Sequence, residues 1–143
     1  MGTQQILLIV LSVIIVGIAV AVGITMFNQQ AFNSNRNACV SDLNMFASQA
    51  QAFFKTPTSH GGAGSDLTNV NLTDLGNWIG FDFGKDGVAA NTLVTGNGTF
   101  LMAWTSPTLT IESEGNETGV EPAIRIDLES GDITTAIDGV FAT

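Results

Sequence analysis

Hydrophobic and polar positions along this chain follow three regimes in succession. In the first, residues 6–27 run for 22 positions with no charge and only two hydroxyls, Ser12 and Thr25, and no Lys, Arg, Asp or Glu precedes Arg36. As a helix rising about 1.5 Å per residue this stretch is roughly 33 Å long, enough to cross a bilayer core of about 30 Å. The run continues through Asn28, Gln29, Gln30 and Ala31, and no breaker occurs before Pro57. A single helix of some fifty residues is therefore expected, apolar and then amphipathic. In its second half Cys39, Val40, Leu43, Phe46, Ala47, Ala50, Phe53 and Phe54 recur at three- and four-residue steps. That spacing marks one apolar face, with Ser41, Asp42, Asn44, Ser48, Gln49 and Gln51 on the other. Lys55 suits the negative end of the helix dipole, and Thr56-Pro57 stops the helix.

The second regime, residues 56–90, reads as a loop-rich connector. Residues 58–65 form a Gly/Ser tract of flexible punctuation. Short helical turns are expected around Asp66-Leu67-Thr68 and over 74–79, and Trp78, Ile79, Phe81 and Phe83 are spaced to drop apolar anchors onto a core. The third regime alternates. Residues 91–95 and 99–105 flank Gly96-Asn97-Gly98 as a hairpin, and 108–112 alternates cleanly before a polar turn at 114–119. In 123–128, Ile124, Ile126 and Leu128 face one way while Arg125 and Asp127 face the other. Ser130-Gly131-Asp132 turns into 133–137, and Gly139-Val140-Phe141 closes the chain. The economical architecture is α+β: a long N-terminal helix whose amphipathic half packs on a C-terminal antiparallel sheet of four or five strands. Residues 1–35 would be the apolar part, 36–55 the amphipathic part, 56–90 the connector and 91–143 the surface-exposed sheet.

Charge sharpens this picture. The 143 residues carry 4 basic against 13 acidic side chains, a net charge of −9, all of it after residue 35. Such a surface repels phosphate backbones, so nucleic-acid binding by the subunit alone is not expected. Residues 1–5 contain no basic side chain and the apolar run exceeds a signal-peptide core, so the segment does not read as a cleavable secretory signal. Arg36 argues for its own side being cytoplasmic. The acidic remainder and three N-x-S/T sequons, at Asn71, Asn97 and Asn116, argue for an exported C-terminal part, which is the orientation expected here.

Chemistry is sparse. The single cysteine, Cys39, rules out an internal disulfide and falls on the apolar face, as a buried inert thiol would. The single histidine, His60, sits in the Gly/Ser tract as a solvated loop residue. No Ser/His/Asp or Cys/His set can be assembled from these positions. Asp82-Phe83-Gly84 echoes a kinase triplet without its companions, and Asp82, Asp86 and Gly87 lack the ligand alternation of a calcium loop. The acids between Glu112 and Glu121 read as a solvated edge and turn. No catalytic residue, cofactor or metal site is expected.

Within the apolar run, Gly17, Ala19, Ala21 and Gly23 are small positions where helices can approach closely. Glycine also weakens a helix by up to about 1 kcal/mol per position, which makes 17–23 the expected place for local unwinding. The opening, Gln5-Ile6-Leu7-Leu8-Ile9-Val10-Leu11-Ser12-Val13-Ile14-Ile15-Val16-Gly17-Ile18-Ala19, resembles the type IV pilin superfamily, which includes pseudopilins and archaeal pilins. The layout of the whole chain is similar to that family, while the residue-level likeness is confined to the N-terminal third. The chain departs from the family at several points. A glutamate near position 5, which in the family pairs with a neighbour's terminal amine, is replaced here by Gln4 and Gln5, able to hydrogen-bond but not to form that ion pair. The family's proline near the end of the apolar half is absent, with Gly23 the nearest interruption. No basic leader is visible, so the resemblance leaves open a chain that begins after cleavage or a leaderless relative. A cysteine-bounded C-terminal loop is missing too.

The resemblance implies a structural major subunit of an extracellular pilus-like filament, a homopolymer joined through its N-terminal helices. It would be membrane-anchored before assembly and served by a prepilin peptidase and an ATP-driven assembly platform. Adhesion, motility, DNA uptake and secretion all remain compatible roles. The alternative is a minor pseudopilin or a single-span anchored module that binds an envelope or secretion partner. A membrane-tethered enzyme would need a polar pocket that the sequence does not announce.

Overall fold

The computed structural model describes residues 2–81, 91–136 and 139. Expectations attached to Asp82, Phe83, Gly84, Asp86, Gly87, Ile137, Val140 and Phe141 lie outside these residues. The chain is α+β, with a 54-residue helix α1 (Gly2–Lys55), a short helix α2 (Leu72–Ile79) and five strands. The strands are β1 (Thr92–Val94), β2 (Gly98–Thr105), β3 (Thr108–Gly115), β4 (Ala123–Asp127) and β5 (Ile133–Ala136). Two compact units emerge, Met1–Ser34 and Asn35–Thr143.

The first unit is uninterrupted α-helix over its described residues. The expected unwinding at Gly17 and Gly23 does not occur. Each glycine sits alone among good hydrophobic helix formers, and a penalty near 1 kcal/mol cannot open a ladder whose hydrogen bonds propagate cooperatively on both sides. Both hydroxyls turn back on the helix, Ser12 Oγ donating to the Ile9 carbonyl and Thr25 Oγ1 to that of Val22, each at 2.8 Å.

In the second unit the sheet is a plain antiparallel meander in the order β1-β2-β3-β4-β5. Register places Phe100 opposite Ser113, Met102 opposite Ile111, Ile111 opposite Ile124 and Leu109 opposite Ile126. These residues are buried and form the inner face of the sheet. From α1 the stripe Cys39, Leu43, Phe46, Ala47, Ala50, Phe53 and Phe54 is buried, with Val40 half-buried at its margin. Phe46 joins the two layers. Its ring meets Phe81 edge-to-face at a centroid distance of 5.1 Å and Phe100 at 5.2 Å. Trp78 on α2 stacks edge-on against Phe53 at 5.8 Å but stays 41 % exposed, so of the three expected anchors among the described residues Ile79 and Phe81 are the buried ones.

The helix end is more elaborate than a proline stop. Ala63 N–H donates to the Phe53 carbonyl, Ser65 N–H to that of Phe54 and Gly64 N–H to that of Thr56, at 2.7–3.0 Å. The Gly/Ser tract thus wraps the C-terminus of α1 and satisfies carbonyls that a helix leaves unpaired. It is a built cap, unlike the loose punctuation its composition suggests. Gly62 is obligatory within it, because an added Cβ would overlap the Thr56 carbonyl and side chain and lie 2.7 Å from the Phe53 carbonyl oxygen. Lys55 extends over the Phe54 ring at 5.3 Å, a cation–π contact beside the favourable end of the helix dipole.

The acidic residues expected at an edge lie elsewhere. Glu112 and Glu114 belong to β3, the central strand of the meander, and point to its solvent face; they do not guard an edge. Simple up-and-down connections put β3 in the middle of the described strands, with β1 and β5 outermost among them.

Candidate functional site

The feature that needs explaining lies in the first unit. From Ile6 to Phe27, sixteen large apolar side chains are each 50–74 % exposed. A soluble helix hides such residues along one stripe, whereas a helix apolar all round is a buried or membrane element. With Ser12 and Thr25 donating to their own backbone, no side-chain donor in this stretch needs water. Among the described residues this is the one helix long and apolar enough to cross a membrane. Covering those side chains is worth roughly 15–30 kcal/mol, at about 1.5–3 kcal/mol per fully buried side chain scaled by exposure.

The candidate packing residues all lie on this helix and all face outward. Gln4 and Gln5 occupy its first turns. An added Cβ at Gly17 or Gly23 would have no neighbour within 4 Å. At about 100° per residue, Gly17 and Ala21 share one side, one turn apart, and Ala19 and Gly23 share nearly the opposite side. The helix therefore carries two small-xxx-small steps facing away from each other.

The three sequon asparagines are in the second unit, and their surroundings differ. Asn71 is the N-cap of α2, exposed, its Oδ1 accepting from Thr73 N–H at 2.9 Å. Asn116 is exposed, and its amide donates to the Gly96 carbonyl at 2.7 Å. Asn97 is half-buried against α1. Its amide donates to Asp42 Oδ2 at 2.8 Å, and its carbonyl accepts from Asn35 Nδ2 at 2.8 Å and Cys39 Sγ at 3.4 Å. Asn35 Oδ1 also accepts from Glu117 N–H at 3.3 Å. Around this knot Gly98 and Gly115 pair directly, with Asn35 so close over Gly115 that any side chain there would overlap it. Asn35 and Asp42 were not legible as structural hubs, since nothing separates them from neighbouring polar residues in the sequence. Burial, and then the nearby Asp42 charge, push the Cys39 thiol above its ordinary pKa and keep it protonated.

The clefts of this unit offer little chemistry. An open cleft of about 560 Å³ gathers Glu112, Glu114 and Glu121 with Thr92, Thr99 and Leu101. No grouping of three or more His, Cys, Asp or Glu suited to hold a metal ion occurs among the described residues. A smaller gap of about 250 Å³ lies between α1 and β4–β5, walled by Val40, Leu43, Ile124 and Ala136. His60 is exposed, its Nδ1 at 3.0 Å from the Ser59 hydroxyl.

A long apolar N-terminal helix followed by an antiparallel sheet is an arrangement compatible with the architecture of pilin-like proteins. Compared with known protein families, curated proteins and solved structures, the chain matches none of them.

Proposed function

We propose that this chain is the structural major subunit of a pilus-like extracellular filament, held in the membrane before assembly and packed among its own copies afterwards. The reading is carried by one observation: residues 6–27 expose apolar side chains on every side, with no charge and no unsatisfied hydroxyl. Lipid relieves that exposure for a single chain, and a bundle of identical helices relieves it for many. The opposed pairs Gly17/Ala21 and Ala19/Gly23 supply a close-approach face for a neighbour on either side. Contacts that differ on the two sides and do not close on themselves generate a helical filament. Gln4 and Gln5, exposed in the first turns of the helix, would hydrogen-bond a neighbouring chain there. The acidic second unit is the part displayed to the exterior, and a prepilin peptidase and an ATP-driven assembly platform are the partners such a subunit requires.

The test is removal of detergent from the purified full-length chain. Uniform-width polymers that sediment are the expected result. A stable monomer in detergent-free buffer overturns the proposal, and a chain that only ever reinserts into lipid as a monomer favours an anchored binding module instead.

A further inference from the structure

We infer that Asn71 alone among the three sequon asparagines carries an N-linked sugar, and that Asn97 and Asn116 are structural residues which stay bare. The inference rests on the exported orientation proposed above. Transfer of a sugar forms a bond between asparagine Nδ2 and the sugar's C1 and breaks the C1–oxygen bond of a lipid-linked sugar phosphate. The lipid phosphate departs with the electron pair, and an amide proton passes to a base of the transferase. An acceptor asparagine must therefore present a free Nδ2, a free downstream hydroxyl and backbone that can enter another protein's cleft.

Asn71 meets these demands. It is exposed, its Nδ2 meets no hydrogen-bond partner among the described residues, and Thr73 is exposed beside it. Its structural task, capping α2, uses Oδ1, whose lone pairs survive modification, so the cap and the sugar are compatible. Asn97 fails on the nitrogen and on the backbone. Its Nδ2 is committed to Asp42, its carbonyl is held by Asn35 and Cys39, and the following Gly98 is buried against Gly115 and the Glu114 carbonyl. Presenting it to an enzyme would pull the β1–β2 turn off α1. Asn116 is exposed, but one hydrogen of its Nδ2 holds the Gly96 carbonyl and ties its own turn to the β1–β2 turn, a contact it must release to enter an enzyme's cleft.

The experiment is peptide-level mass spectrometry of the full-length chain purified from its own cells, together with Thr73→Ala and Asn71→Asp. The first variant destroys the sequon and leaves the cap; the second retains an Oδ acceptor and removes the acceptor nitrogen. The expected result is a sugar on the Asn71 peptide, unmodified Asn97 and Asn116 peptides, and complete loss of the sugar mass in both variants. A bare Asn71, or a sugar on Asn97 or Asn116, overturns the inference. Protease shaving of intact cells, read in parallel, separates the two proposals. A surface-exposed chain with Asn71 bare sinks the inference alone, whereas a chain protected from shaving sinks the export reading beneath it.

Discussion

Replacing Phe46 by alanine should remove the central joint of the second unit. Phe46 is 3 % exposed and sits edge-to-face with Phe81 at 5.1 Å and with Phe100 at 5.2 Å, so one ring ties α1 to the segment after α2 and to β2. Truncating a buried phenylalanine costs about 3–5 kcal/mol, the aromatic pairings being part of that sum. Domains of this size are stable by about 5–15 kcal/mol, so the loss removes a large share of the total. At about 4 °C per kcal/mol the melting temperature should fall on the order of 15 °C. The assay is thermal and urea unfolding of the full-length chain in mild detergent, followed by near-ultraviolet circular dichroism of Trp78 and Trp104. Phe46→Leu keeps most of the volume but loses both ring pairings, and should cost about 1–3 kcal/mol, less than the alanine. If Phe46→Ala lowers stability by less than about 1 kcal/mol with the tryptophan signal intact, Phe46 is not the joint and the packing argument fails.

Three further outcomes are expected. Val16→Asp places a carboxylate in the middle of the apolar run at a cost of about 3 kcal/mol for membrane insertion, so flotation with membranes should fall sharply while Val16→Leu behaves as the parent; equal flotation of the two would contradict the lipid-or-bundle account. Gly62→Ala should destabilise the second unit by about 1–3 kcal/mol through overlap with Thr56, whereas Gly96→Ala, with open space around its Cβ, should be nearly neutral in the same unfolding assay. The Cys39 thiol should resist alkylation at pH 8 in the folded chain and react on unfolding. Because the folded chain holds that proton to higher pH than the unfolded one, the associated stability is full below about pH 8.5 and is lost as pH rises through the folded pKa. Equal reactivity before and after unfolding would place Cys39 outside the core.

Much of the fold could be read from periodicity, because burial leaves a direct imprint on sequence. The switch from an all-apolar run to a three-and-four stripe at Cys39 marks where the helix gains a one-sided partner, and Ile124, Ile126 and Leu128 show the two-residue period of a half-buried strand. What stayed hidden is set by contacts distant in sequence. The tract at 58–65 looks loose because glycine and serine are usually solvated, yet backbone hydrogen bonds to α1 fix it and need glycines for closeness. The knot of Asn35, Asp42 and Asn97 joins residues 55 and 62 positions apart, a separation no local pattern reports. Strand order was equally silent, so Glu112 and Glu114 gave no sign of belonging to a central strand. Gly17 and Gly23 misled in the opposite direction, since local propensity yields to the cooperativity of a long helix. In the candidate assembly surface, the residue types were evident from sequence, and helical phase then resolved them into two opposed pairs.

The central claim is that the uncharged helix ends up among copies of itself. Electron microscopy of material sheared from cells, with mass spectrometry of the same fraction, tests it most directly. The account predicts thin filaments of uniform diameter in which this chain is the dominant polypeptide. Absence of the chain from any fibre, with all of it recovered as detergent-solubilised monomer from the membrane, would contradict it.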